Sequence, residues 1–212
     1  SEVQKDDPKE YLYNMPYETI ARYDVGMKAN EIWPDKALVP AVKPLAGDLI
    51  DFCESYAIES HKDLPRYNIE IKSSARKGEG ADWPEYKDFV DACVPLLESK
   101  HLGDRLVVQS FDVRALEYMH EKYPELILSY LTTKKQADFD EFMSLLTFTP
   151  DVLSPEYSVV TEEMVRKCHE KGMKIVPWTC DDEQVMKEMI ALGCDAVITN
   201  YPDRLLKITR GY

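Results

Sequence analysis

From Lys43 onward the chain repeats one pattern: a segment with apolar residues at helical spacing, then a short run rich in Val, Ile, Leu and Tyr. The predicted pairs are helix Leu45 to His61 with strand Tyr67 to Lys72, helix Glu85 to Lys100 with strand Arg105 to Phe111, and helix Val113 to Tyr123 with strand Leu126 to Leu131. Three more follow: helix Phe139 to Leu146 with strand Val152 to Ser154, helix Thr161 to Lys171 with strand Lys174 to Thr179, and helix Glu183 to Leu192 with strand Ala196 to Thr199. Alternation of this kind implies parallel strands joined by right-handed crossovers, which leaves a doubly wound sheet or an eight-stranded barrel. A nucleotide-binding sheet would be supported by a GxGxxG or Walker A loop, and the sequence has neither. The expected class is therefore α/β, a TIM-type (β/α)8 barrel of which this chain supplies about six strand-helix units and lacks the first two strands.

Residues 1–45 read differently. They are rich in Pro, Tyr and charge, as in Asp6-Asp7-Pro8 and Ile32-Trp33-Pro34-Asp35-Lys36, with one short amphipathic piece from Pro16 to Tyr23. A long connecting loop or insert with one or two turns of helix is expected there, and residues 46–212 are expected to form the C-terminal part of the barrel.

Composition bounds the partners. With 39 acidic and 26 basic residues the formal charge is −13, so nucleic acid is not expected as a partner. An anionic substrate would need local help from a lysine or a metal ion. The five cysteines, Cys53, Cys93, Cys168, Cys180 and Cys194, have no zinc-ligand spacing and read as free thiols. No apolar run is long enough for a transmembrane segment, and the first ten residues are too polar for a signal peptide.

In a barrel of this kind the chemistry sits where strands end. Glu70 and Lys72 flank Ile71 and so share a face, which in a barrel strand can be the interior. Two readings of this pair stand side by side. A carboxylate there suits a hard cation and an ammonium suits an anionic oxygen; alternatively, the two form a plain ion pair on a solvated strand. Other strand ends offer Gln109-Ser110-Phe111, Ser154-Pro155-Glu156-Tyr157, Trp178-Thr179 and Thr199-Asn200. Asp182 reads as a helix N-cap, and Lys134-Lys135 as a solvated pair in a loop.

Three strings carry a resemblance. Asn68-Ile69-Glu70-Ile71-Lys72 and Val108-Gln109-Ser110-Phe111-Asp112 are two of them. The third runs His169-x-x-Gly172-x-x-Ile175-x-x-Trp178-Thr179, then Leu192-Gly193-Cys194-Asp195-Ala196-Val197-Ile198-Thr199-Asn200-x-Pro202-Asp203. Together, from about Lys43 to Leu206, they resemble the glycerophosphodiester phosphodiesterase family, TIM barrels that cleave glycerophosphodiesters to an alcohol and glycerol 3-phosphate. The resemblance implies that Glu70 is a metal ligand for a divalent cation, Ca2+ or Mg2+, that Lys72 contacts the phosphate, and that Trp178 forms an apolar wall for the glycerol. Gln109, Ser110 and Tyr157 are further candidates for the pocket rim. It also implies a periplasmic or secreted location, since similar bacterial proteins with a long insert are often exported.

The family pattern includes a His-Arg-Gly, a Glu-x-Asp and a His-Asp that do not occur in this chain. His61, His101, His120 and His169 all fall within or at the ends of predicted helices, so no catalytic residue is assigned here and the chain by itself is expected to be inactive. The expected explanation is a truncated piece of a normal enzyme, with exposed barrel edges that favour self-association. Two alternatives are a catalytically dead phosphate-binding or assembly module, and a related barrel phosphodiesterase acting on sphingolipid or lysophospholipid headgroups.

Overall fold

The computed structural model describes residues 10–29, 31–32, 34, 36–76 and 78–210. Contacts divide the chain into two compact units, residues 1–65 with 75–101, and residues 66–74 with 102–212.

In the first unit the opening segment is a loop with a one-turn helix α1 (Tyr17–Ile20), inside the piece expected to be amphipathic. Residues 1–9, Asn30, Trp33 and Asp35 of that expected loop lie outside the described residues. Asp24 folds the loop back on itself: its carboxylate accepts hydrogen bonds from the Gly26, Met27 and Ala41 amides at 2.9, 2.7 and 3.1 Å. The return strand passes so close that a Cβ at Gly26 would stand 1.7 Å from the Val39 carbonyl oxygen. Helix α2 (Ala46–Glu59) and helix α3 (Tyr86–Glu98) match the two expected helices within three residues at each end. They meet at Gly47, where an added Cβ would touch Leu96 and Lys100, and Lys100 pairs with Asp51 at 2.6 Å.

The second unit holds five strands, all parallel and in the order of the sequence: β1 (Tyr67–Glu70), β2 (Leu106–Ser110), β3 (Ile127–Thr132), β4 (Val152–Pro155) and β5 (Lys174–Ile175). A doubly wound sheet reverses its strand order at a switch point. Here the order never reverses, which is the winding of a barrel wall. Helices α4 (Val113–Lys122), α5 (Phe139–Met143), α6 (Glu162–Glu170) and α7 (Glu183–Ala191) follow at the expected places, and α8 (Pro202–Arg210) closes the unit. Side chains of Asp112, Asp138, Thr161 and Asp182 accept from amides in the first turns of α4, α5, α6 and α7, which fixes where each helix starts.

Register sorts the two faces of the sheet. Glu70, Gln109, Ser129 and Val152 lie in one line across β1 to β4, and Ser110, Tyr130, Leu153 and Ile175 in the next line on the opposite face. The second face is the hydrophobic core: Tyr130, Leu153 and Ile175 are fully buried, and Phe142 of α5 packs edge-on against Tyr130.

The expected sixth strand, Ala196 to Thr199, is not a regular strand. It still lies along the fifth, because the Asp195 amide donates to the Ile175 carbonyl, the Ile198 amide to Pro177, and the Cys180 amide to Ile198. Regular parallel pairing would take the last bond from residue 179. Pairing instead skips to Cys180, so the ladder is offset by one residue, as in a bulge. Pro177, which has no N–H, further thins the ladder. Strand β5 likewise stops at Ile175, shorter than the expected run to Thr179.

Candidate active site

Strand alternation sets which of the candidate side chains can meet. Glu70 lies on the inner face, opposite the hydrophobic core, and Lys72, two residues on, returns to that side. The Lys72 ammonium stands 3.4 Å from the Glu70 carboxylate, with the Glu70 side chain 21% exposed and that of Lys72 78% exposed. Between them Ile71 is buried, and its amide continues the ladder by donating to the Gln109 carbonyl at 2.9 Å. An ion pair this open to water contributes little stability, so the lysine remains available to an anion.

Gln109 sits beside Glu70 in register and is 9% exposed. Its side-chain oxygen accepts from Asn68 at 3.0 Å. On the same face, the Ser129 and Ser154 hydroxyls bond to each other at 2.9 Å, so the inner face is lined with buried polar groups from β2, β3 and β4.

Trp178 also falls on this face, because Glu156 pairs with it one step beyond β4. Its indole N–H donates to the Ser154 carbonyl at 3.0 Å, its amide donates to Pro155 at 3.0 Å, and its carbonyl accepts from the Tyr157 amide at 2.9 Å. The ring is further held by Phe111, edge-on at 5.4 Å and 90°. Phe111 is two residues past Gln109, hence on the same face, and is 40% exposed. An exposed aromatic at a strand end is a signal that the period of two could have picked out from the sequence.

Ser110 and Tyr157 are placed differently from these side chains. Ser110 cannot share the inner face with its neighbour Gln109. It is fully buried on the core side, where its hydroxyl donates to the Ile71 carbonyl at 2.7 Å and accepts from the Asp112 amide at 3.1 Å. Tyr157 lies beyond the strand end and lines a groove with Val160 and with Glu188, Met189 and Leu192.

Two aspartates after strand ends hold the loops. Asp112 accepts from Ser73 Oγ at 2.9 Å and from Arg114 through its backbone amide, Nε and Nη2 at 3.1, 3.0 and 2.7 Å. Burial opposes its ionisation, but the hydrogen bonds from Arg114 and Ser73 and the guanidinium charge outweigh it and hold the carboxyl below its usual range. Asp181 accepts from Thr199 Oγ1 at 3.1 Å and from the amide and side chain of Asn200, both at 2.8 Å. There too burial opposes ionisation and the hydrogen bonds from Asn200 and Thr199 lower the carboxyl nonetheless. Asp181 is thus engaged as a staple and Asp182 as the expected N-cap.

The histidines lie off the strand ends. His61 and His101 follow α2 and α3 with left-handed backbone, φ 52° each. His120 of α4 stacks on Phe148 at 3.9 Å, and His169 of α6 meets Asp195 at 3.1 Å. All five cysteines are free. Burial and nearby negative charge push the Cys168 and Cys180 thiols up to about 12. No helix among the described residues is long and apolar enough to cross a membrane.

Among the described residues no group of three or more His, Cys, Asp or Glu side chains could hold a metal ion. Calcium and magnesium take six or more oxygen ligands, several from carboxylates or water. Glu70 offers one carboxylate, so the residues described do not make a cation site by themselves.

Comparison with known proteins agrees with this arrangement. Residues 3–204 match the glycerophosphoryl diester phosphodiesterase family. A glycerophosphodiester phosphodiesterase of Caldanaerobacter subterraneus is 24% identical over 201 residues, covering 94% of this chain and 73% of that protein. A solved Silicibacter pomeroyi protein assigned to the same activity is 26% identical with a TM-score of 0.75, over 92% of this chain and 67% of its own. An Oleispira antarctica phosphodiesterase, solved in complex with the product sn-glycerol-3-phosphate, shares the fold at 20% identity and a TM-score of 0.70, over 92% of this chain and 71% of its own. The fold is thus that of the family's TIM barrels, and the chain belongs to the glycerophosphoryl diester phosphodiesterase family of phosphoric diester hydrolases.

Proposed function

We propose that this chain carries the phosphate- and glycerol-binding face of a site that hydrolyses glycerophosphodiesters to an alcohol and sn-glycerol 3-phosphate. The observation that supports it is the exposed Lys72 ammonium beside the inward Glu70 carboxylate, on the same face as Trp178, whose ring is held by two contacts and whose backbone by two more. Lys72 supplies the positive charge for a phosphoryl oxygen that the chain's overall acidity would repel. The indole of Trp178, with its plane fixed, offers an apolar wall to the carbon backbone of glycerol. The Oleispira antarctica protein, which shares the fold, holds sn-glycerol 3-phosphate.

The family is generally metal-dependent. In this reading Glu70 gives one ligand to a divalent cation, calcium or magnesium, whose other ligands come from groups not among those described. Phosphodiester hydrolysis also needs one group to activate the nucleophile and one to protonate the leaving oxygen. Among the described residues no histidine stands at a strand end, so binding without turnover is the behaviour expected of this chain. In the sheet, β1 pairs with β2 and with no other described strand, and self-association through its other edge is part of the same reading.

The test is calorimetric titration of sn-glycerol 3-phosphate into the 212-residue chain, with a parallel assay for its release from a glycerophosphodiester in calcium or magnesium and in chelator. Binding that weakens about tenfold in Lys72→Met supports the site. Absence of binding refutes it. Chelator-sensitive turnover would keep the site and refute the expected inactivity.

A further inference from the structure

The side chain of Gln109 has a donor that the protein leaves unused. Its Oε1 accepts from Asn68 Nδ2 at 3.0 Å, which fixes the amide with Nε2 turned away from Asn68. Nε2 has no acceptor among the described residues, although the side chain is 9% exposed. It is not sealed from solvent either: among the described residues the buried side-chain atoms without partners are Trp83 Nε1 and Thr132 Oγ1. Gln109 Nε2 therefore reaches solvent on the inner face, at the register of Glu70 and one pleat below Lys72.

Orientation is the point. A buried amide can be turned by 180° at little cost in shape, and hydrogen bonding decides which end faces out. Turned the other way, Gln109 would set Nε2 against Asn68 Nδ2, donor against donor. It would also turn its carbonyl toward the inner face and any incoming anion, acceptor against acceptor. Asn68, donating through its Nδ2 as it does here, avoids both. It does so from one strand to the next, across paired β1 and β2.

We infer that Gln109 Nε2 donates to a non-bridging phosphoryl oxygen of the bound phosphodiester, and that Asn68 is the positioning residue that keeps this donor facing the ligand. The inference rests on the phosphate-binding reading of Lys72 and adds a neutral second donor to it. Two donors from adjacent strands, one charged and one neutral, would hold a tetrahedral phosphoryl group by two oxygens and so fix its rotation. A single ammonium cannot do this.

The experiment follows the side-chain amide signals of Gln109 in 1H–15N spectra of the whole chain, assigned by their loss in Gln109→Met, during titration with inorganic phosphate and then with sn-glycerol 3-phosphate. Both ligands are expected to shift these signals. Gln109→Met should weaken phosphate binding on the order of tenfold. Asn68→Asp, which accepts where Asn68 donates, should turn the amide round and abolish its response to phosphate, at a melting temperature close to that of the parent. Binding of phosphate with unmoved Gln109 signals, or equal affinity in Gln109→Met, overturns the inference while the Lys72 site stands. Failure of the parent chain to bind either ligand brings down both.

Discussion

Removing the carboxylate of Asp112 should loosen the exit of β1 and the start of α4 in one step. Its side chain is 8% exposed and accepts four hydrogen bonds, one from Ser73 and three from Arg114. In Asp112→Ala the loss of the N-cap costs about 1 kcal/mol. The Ser73 hydroxyl, in a residue only 8% exposed, loses its acceptor, a further ~1 to 2 kcal/mol. The Arg114 side chain is 35% exposed and rehydrates, so it adds little. The total is about 2 to 3 kcal/mol, or roughly 4 to 12 °C in melting temperature for a chain of this size. Thermal and urea melts followed by circular dichroism read it directly. The sign with pH is also fixed. The Asp112 carboxyl is lowered in the folded state, so its contribution is fully present above the unfolded value near about 4 and is lost as pH falls through the lower folded value. The gap between parent and variant should therefore be wide at neutral pH and should close in acid. A gap under about 0.5 kcal/mol at neutral pH, or one that stays constant into strong acid, would refute this account.

Other perturbations separate the roles on the inner face. Trp178→Ala should weaken binding of sn-glycerol 3-phosphate more than that of inorganic phosphate by calorimetry; equal losses would remove the glycerol wall. Phe111→Ala takes away the edge contact, worth about 0.5 to 1.5 kcal/mol, and should lower the order of the Trp178 ring in relaxation measurements while leaving phosphate affinity nearly unchanged. Glu70→Gln should reduce calcium or magnesium binding by calorimetry in a complete site, and unchanged metal affinity would count against Glu70 as a ligand. The Cys168 and Cys180 thiols, pushed up to about 12, should resist alkylation at mildly alkaline pH until urea unfolds the chain. Fast labelling of either in the native state would contradict their burial.

The order of elements was legible because each helix and strand carries its own period, and α3 to α7 each open on a residue whose side chain caps it. Asp182 could be read as a cap from sequence alone, and Asp112, Asp138 and Thr161 perform the same task. The sixth strand was not legible in this way. Ala196 to Thr199 has strand composition, but whether it pairs regularly depends on Pro177 and on a one-residue offset that only the partner segment sets. Helix α8 was missed because it buries no side chain. Its start is marked by Pro202 at the first helical position, with Asp203 in the first turn and Lys207 and Arg210 in the last, and its apolar face is short, with Leu205 and Ile208 only half-buried.

The site shows how far a motif can be read as a unit. Gln109, Ser110 and Phe111 are neighbours in one string, yet alternation sends Gln109 and Phe111 to the inner face and Ser110 to the core. A period of two applied to the string would have separated them. Net charge alone is a weak guide to the ligand. A formal charge of −13 argues against an anionic ligand only if the carboxylates are free to set the local field. Here many are committed: Glu85, Asp112, Asp138, Glu156 and Asp182 accept from amides that start turns or helices, and Asp151, Asp181 and Asp195 tie adjacent segments through the amides of Leu128, Asn200 and Ile175. Their positions follow the strand starts and strand ends because that is where backbone donors lack partners. On the inner face the described acids are Glu156, whose carboxylate accepts from Ser158, and Glu70, already matched by Lys72 at 3.4 Å. The field that a phosphate meets there is set by that pair and by the Gln109 amide, so an acidic chain can still present an anion-binding face.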